Sequence, residues 1–227
     1  MEAKGFTNVN WEIINTQESD QDPKIMLMYY PNVIESVGYI QPKVQIEIGC
    51  RSLREPLKIV EFNTLIDEYY PQASFAMPVI KVPTVVPERT FLEKIFLLHE
   101  EFSKPTQAIR VERLSRHLYD VYQLSKTEIK QNALNDTELY ETIVKHRYNF
   151  TRISKVDYNL HQPQTINPIP PSEVIKAWET DYNTMLSEMI YGDAPTFEEL
   201  IKELTQLKSE INKLVWKMKT EFPLPKS

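Results

Sequence analysis

Arg113, Arg116, His117 and Asp120 recur at three- and four-residue steps, so on a helix they share one row, while Val111, Leu114, Leu118 and Val121 form another. Four ionisable groups beside a core-facing row are poorly explained by solvation alone, and they mark a candidate site. Lys94 sits on the rim of a second apolar stripe, Phe91, Ile95, Leu98 and Phe102, on a helix that Pro87 can open without losing a needed N–H. A lysine ammonium is a compact point cation suited to phosphate charge, although exposed helical lysines are commonplace. An aspartate in such a row is by default an ion-pair partner. Glu47 is the third candidate. In Lys43–Gly49, Val44, Ile46 and Ile48 fall on one strand face and Gln45 and Glu47 on the other. Phosphoryl-transfer enzymes hold Mg²⁺ on strand carboxylates, but a glutamate on the polar face of a half-buried strand has the same pattern.

The elements that must position these groups divide at Pro87. Before it the chain reads mostly as strands. Trp11–Thr16 and Lys24–Tyr30 flank a polar turn, Gln17 to Pro23, as hairpin arms would. Leu57–Phe62 is a neighbouring strand, and Pro78–Pro83 a short one limited by its prolines. After Pro87 the chain turns helical. Asp136 caps a helix from Thr137 to about Tyr148. Pro163, Pro168, Pro170 and Pro171 make residues 150–171 an irregular connection. Ser172 opens a helix through Trp178, Met185 and Met189, and Thr196 with Glu199 forms a capping box. That box starts a last helix whose Leu200, Leu204, Leu207, Ile211, Leu214 and Met218 form a seam, expected to pack against the 172–191 helix as a hairpin. A partner or self-association surface is the sharper alternative for the seam.

The chain has 227 residues, enough to bury a substantial core. Its net charge of −6 confines any RNA contact to a local patch, for which Arg110, Arg113 and Arg116, or Lys145, His146, Arg147 and Arg152, are candidates. The single cysteine, Cys50, excludes an internal disulfide and suits a reducing compartment. No apolar run opens the chain or reaches membrane-spanning length, so a cytoplasmic location is expected. His99, His117, His146 and His161 have no zinc-ligand spacing with one another or with Cys50. The four glycines, Gly5, Gly38, Gly49 and Gly192, build no phosphate-cradling loop.

Arg89-Thr-Phe-Leu-Glu-Lys94 with Leu98-His99, Ser115-Arg-His-Leu-Tyr-Asp120, and upstream Val44-Gln-Ile-Glu-Ile-Gly49 with Arg51 and Glu55-Pro56, resemble the AbiEii/AbiGii toxin family of nucleotidyltransferases. The resemblance spans roughly residues 40–125 and implies a polymerase-β-like core that binds Mg²⁺ and a nucleoside triphosphate. Under it, Lys94 matches the nucleotide-contacting lysine, Asp120 the late catalytic aspartate and Glu47 the strand carboxylate for metal. Lys94, Arg89 and Arg116 would bind the nucleotide, and Glu93 would pair with Arg89 in support of Lys94. The family's first motif, a Gly-Gly or Gly-Ser pair followed by Asp-x-Asp, is missing. Asp20-Gln21-Asp22 has the spacing but no such glycine pair before it, and runs into Pro23 as a polar turn does.

The expectation is therefore an α+β protein, a partial nucleotidyltransferase-like mixed sheet followed by a helical C-terminal half. Its parts are 1–86 (sheet), 87–150 (helices with the Lys and Asp motifs) and 151–227 (connection and helical hairpin). The function implied is that of a toxin component of a toxin–antitoxin or phage abortive-infection system. It would transfer a nucleotide from a triphosphate to an acceptor such as tRNA and be neutralised by a separate antitoxin protein, without membrane attachment. The missing motif fits either a truncated or split reading frame, inactive alone, or a degenerate member. The rival is a non-catalytic nucleotide- or antitoxin-binding module.

Overall fold

A computed structural model describes residues 10–15, 24–32, 35, 41–49 and 56–225. The Gln17–Pro23 turn with Asp20 and Asp22, and Cys50, Arg51 and Glu55, lie outside the described residues. The protein is α+β. Strands β1 (Asn10–Asn15), β2 (Lys24–Tyr29) and β3 (Lys43–Ile48) form an antiparallel sheet in that order, with Trp11 opposite Met28 and Ile25 opposite Glu47. The expected hairpin arms are thus present. Strands β4 (Leu57–Phe62) and β5 (Ile80–Val85) form a separate antiparallel ribbon. The described strands therefore make two antiparallel sheets rather than one mixed sheet. Pro83 lies inside β5 opposite Ile59, and the strand runs on to Val85, past its expected end at Pro83. Among the described residues both strands of the ribbon are edges, and an edge tolerates the missing N–H.

Little of this region is buried. Leu27 is the buried apolar residue of the described strands, whereas Val44, Ile46, Ile48, Ile59 and Phe62 are exposed. Period-two alternation in β3 therefore does not bring its apolar face into the core. A short helix, α1 (Leu65–Tyr69), follows β4 and was not anticipated. Thr64 and Asp67 close a capping box around it, and Asp67 also accepts the Met77 amide at 3.0 Å.

The core is helical. Helix α2 (Pro87–Phe102) carries Pro87 in its first turn and is buried on more than the expected stripe. Leu92, Phe96, His99, Glu100 and Glu101 are buried with Phe91, Ile95 and Leu98, because three further helices pack around it. These are α3 (Ser115–Ser125), α4 (Ile129–Asn135) and α5 (Thr137–Phe150). Asp136 caps α5 as expected, accepting the Leu139 amide at 2.9 Å. Helix α4 escaped the sequence reading. It is short, with Ala133 and Leu134 alone buried.

Apart from a 3-10 turn at Tyr158–His161, residues 151–174 are irregular, yet Val156, Tyr158, His161 and Ile166 are buried. Side chains satisfy the buried backbone. Tyr140 donates to the His161 carbonyl at 2.8 Å, and Asn212 donates to the carbonyls of Pro163 and Ile166 at 2.7 and 3.1 Å. Helix α6 spans Ile175–Met189, and α7 (Phe197–Asn212) begins at the Thr196/Glu199 capping box. The Leu200–Ile211 seam is core, with Leu204 and Leu207 buried, so the interface alternative for it falls away. Its partner differs from the expected hairpin: α7 packs chiefly on α3 and less on α6. Leu214 and Met218 lie beyond the helix end, with Met218 buried in the trailing segment. Buried side chains from Phe91 to Phe222 form one hydrophobic cluster.

Candidate active site

Lys94 projects from α2 toward α3, and its Nζ lies 2.6 Å from Oδ2 of Asp120 and 3.4 Å from Nδ1 of His117. The two partners are three residues apart on α3 and so share a face. Neither charged end is fully in solvent: side-chain exposure is 23% for Lys94 and 39% for Asp120. Burial, followed by the nearby charges of Lys94 and Arg116, pushes the His117 imidazolium down to about 4. His117 is therefore neutral near pH 7 and can accept a hydrogen bond from the ammonium at Nδ1.

Arg89 is buried, and its Nε donates to Oε1 of Glu93 at 2.9 Å across one turn of α2. The anticipated pairing of these residues is present. It directs the Arg89 guanidinium along the helix bearing Lys94. Arg116 is exposed, next to His117. It lines a cleft of about 620 Å³ with Glu47, Lys43, Gln45, Arg113 and Glu112. Glu47 accepts from Gln45 Nε2 at 2.5 Å within its strand. The cleft thus joins Glu47 to Arg116, whereas Lys94 and Asp120 do not line it.

Arg113 is not in the helical row. Helix α3 begins at Ser115, and Arg113 has a φ of 59°, in the left-handed region that non-glycine residues seldom enter. The row is therefore Arg116, His117 and Asp120. Asp181 of α6 holds this turn, accepting the Arg113 amide at 2.7 Å, the Ser115 amide at 3.0 Å and the Ser115 hydroxyl at 2.5 Å. It supplies the N-terminal cap that Leu114 cannot. A lone aspartate in the middle of a later helix carries no spacing signal, so sequence reading missed it.

The inner side of α2 is anchored by charge. Glu100, fully buried, accepts both Nε (2.8 Å) and a terminal nitrogen of Arg147, and its Oε1 lies 3.2 Å from His161 Nε2. Tyr158 stacks parallel on the His161 ring at 4.7 Å, and His99 meets that ring edge-on at 4.9 Å. Burial raises the Glu100 carboxyl, but hydrogen bonds from Arg147 and His161 outweigh it and hold the group down at about 2. Arg147 is therefore a core ion-pair partner rather than part of a basic surface patch.

No group of three or more His, Cys, Asp or Glu side chains suited to a metal ion occurs among the described residues. No described helix is long and apolar enough to cross a membrane. Residues 3–203 match the protein family described as Nucleotidyl transferase AbiEii toxin, Type IV TA system. No curated protein and no solved structure matches the chain.

Proposed function

The chain belongs to the AbiEii nucleotidyltransferase toxin family of type IV toxin–antitoxin systems, and from that premise we propose that it forms the triphosphate-binding part of such a toxin. The reaction would move the nucleotidyl group of a nucleoside triphosphate to an acceptor such as tRNA. An acceptor hydroxyl oxygen attacks the α-phosphorus, the bond to the β-phosphate oxygen breaks, and pyrophosphate leaves while the hydroxyl proton passes to water. A cognate antitoxin protein would neutralise the toxin.

The observation that carries this reading is the Lys94–Asp120 pair at 2.6 Å. Two residues from separate sequence blocks meet between two core helices, half-sheltered from water. Lys94 would neutralise triphosphate charge, with Asp120 fixing the ammonium and Arg116 adding a second cation at the rim of the cleft. Arg89, buried on Glu93, would stiffen α2 rather than touch phosphate. Members of a nucleotidyltransferase family use a divalent metal. The described residues fit one poorly: Asp120 is already neutralised by Lys94, and Glu47 lines a cleft that neither Lys94 nor Asp120 lines. A Mg²⁺ ion takes near-octahedral oxygen ligation, and a single paired carboxylate does not provide it. We accordingly assign these residues to substrate binding.

The test is binding of each ribonucleoside triphosphate with Mg²⁺, then transfer to a broad RNA pool, by the chain alone and joined to a segment carrying Gly-Ser and Asp-x-Asp. Weak binding and no transfer are expected alone, and transfer to an RNA 3′ end when joined. Lys94→Ala or Asp120→Ala should abolish that transfer with the fold intact. No transfer by the joined protein would favour a non-catalytic nucleotide- or antitoxin-binding module.

A further inference from the structure

We propose that His117 is a positioning residue for Lys94: the ammonium donates one N–H to Nδ1 of His117 and a second to Asp120, leaving the third for a phosphate oxygen. The inference rests on reading Lys94 as a triphosphate-binding group. Its geometric basis is the arrangement of both α3 side chains around one Nζ, Asp120 at 2.6 Å and His117 at 3.4 Å.

The chemistry of the donors fixes the rest. An ammonium has three N–H donors and no lone pair, so the ring nitrogen facing it must present its own lone pair. The imidazole proton then sits on Nε2. At 3.4 Å this contact lies at the long end of hydrogen bonding, so Asp120 is the tight anchor and His117 the looser one. The groups that act electrostatically on the ring are Lys94 from α2, Arg110 from the preceding loop, and Arg116 and Asp120 from α3. Three cations against one carboxylate, together with half-burial, keep the ring uncharged.

Neutrality matters for a polyanionic ligand. A second carboxylate in place of His117 would hold Lys94 more tightly, but it would leave the pair around the ammonium with net negative charge. An imidazole restrains the ammonium without cancelling the positive potential a phosphate needs. An apolar side chain of similar size would leave the potential alone and free the ammonium to turn. Each alternative fails in a distinct way, which separates positioning from mere packing.

The experiment uses the full chain with MgATP, MgGTP, MgCTP and MgUTP as probes in calorimetric titrations near pH 7.5. For the triphosphate that binds best, His117→Asn, whose side-chain carbonyl can stand in for Nδ1, is expected to stay within about twofold of wild type. His117→Leu should weaken binding about tenfold, the scale of one charge-assisted hydrogen bond, and His117→Asp at least as much. Long-range ¹H–¹⁵N spectra of the wild-type ring should show the Nε2–H tautomer, neutral at pH 7. An Nδ1–H tautomer, an imidazolium at pH 7, or His117→Leu binding like wild type would each overturn the positioning role while leaving Lys94 in place. If Lys94→Ala binds as well as wild type, the functional reading itself fails. Absence of triphosphate binding by the folded wild-type chain overturns both.

Discussion

Arg147 of α5 and Glu100 of α2 form a two-point ion pair in the core, Glu100 having no exposed surface and the Arg147 side chain 13%. With His161 on the same carboxylate, this one group ties together α2, α5 and the proline-rich connection. Such a pair need not be more stabilising than a well-packed apolar substitute, but breaking it from one side strands a charge.

Glu100→Gln is therefore expected to cost roughly 3–5 kcal/mol, since it leaves the Arg147 guanidinium buried without its counter-charge. Urea denaturation read by circular dichroism checks this. A loss under about 1 kcal/mol, the range of exposed pairs, would mean that water reaches the site.

The same cluster sets the acid limb of stability. Burial, reinforced by the neighbouring His161, pushes His99 from its ordinary 6.5 to about 3. Between those values the unfolded chain binds a proton that the folded chain refuses, so stability falls as pH drops below 6.5, with His117 adding to the slope. Glu100 is depressed from 4.5 to about 2, so its contribution is whole above pH 4.5 and is lost as pH falls toward 2. His99→Asn should reduce the loss from pH 6.5 down to about 3 and leave the Glu100 part between 4.5 and 2, as measured by melting temperature against pH. An unchanged upper slope would show that His99 titrates normally in the fold.

Asp181→Ala should destabilise by about 1–2 kcal/mol, the cost of an N-cap. Asp181→Asn should recover part of the loss, because its carbonyl can still accept one backbone N–H. Amide shift changes centred on Arg113 and Ser115 in the Asp181 variants would locate the effect at this cap, and shifts spread through the core would not.

Hydrogen exchange should divide the chain. Amides of β3, β4 and β5, whose side chains are exposed or half-exposed, are expected to exchange through small openings, and those of α2 only on global unfolding. Equal protection in both would mean that the sheets are buried in solution by something else.

Much of the helical framework was legible because its signals are local. Pro87 at the start of α2, Asp136 capping α5 and the Thr196/Glu199 box opening α7 act within four residues and survive folding unchanged. What stayed hidden depends on distant contacts. Nothing local in the sequence marks Glu100 and Glu101 as buried, yet α5 and the loop before α3 bring Arg147 and Arg110 to them. Arg113 fits a helical row by spacing and is turned out of it by a backbone that Asp181 holds. Spacing placed Asp120 in a row of ionisable groups and left Lys94 an ordinary surface charge, and the family resemblance singled out both. Their meeting required α2 and α3 to pack.

The cap on α3 also imposes an order of events on the nascent chain. Ser115 and its cap Asp181 are separated by 66 residues, so a ribosome has synthesised all of α5 and the proline-rich connection before that helix can be closed. Until α6 emerges from the exit tunnel, the segment bearing His117 and Asp120 lacks the contact that fixes its first turn. Translation can thus run most of the way through the chain while Lys94 still waits for a settled partner.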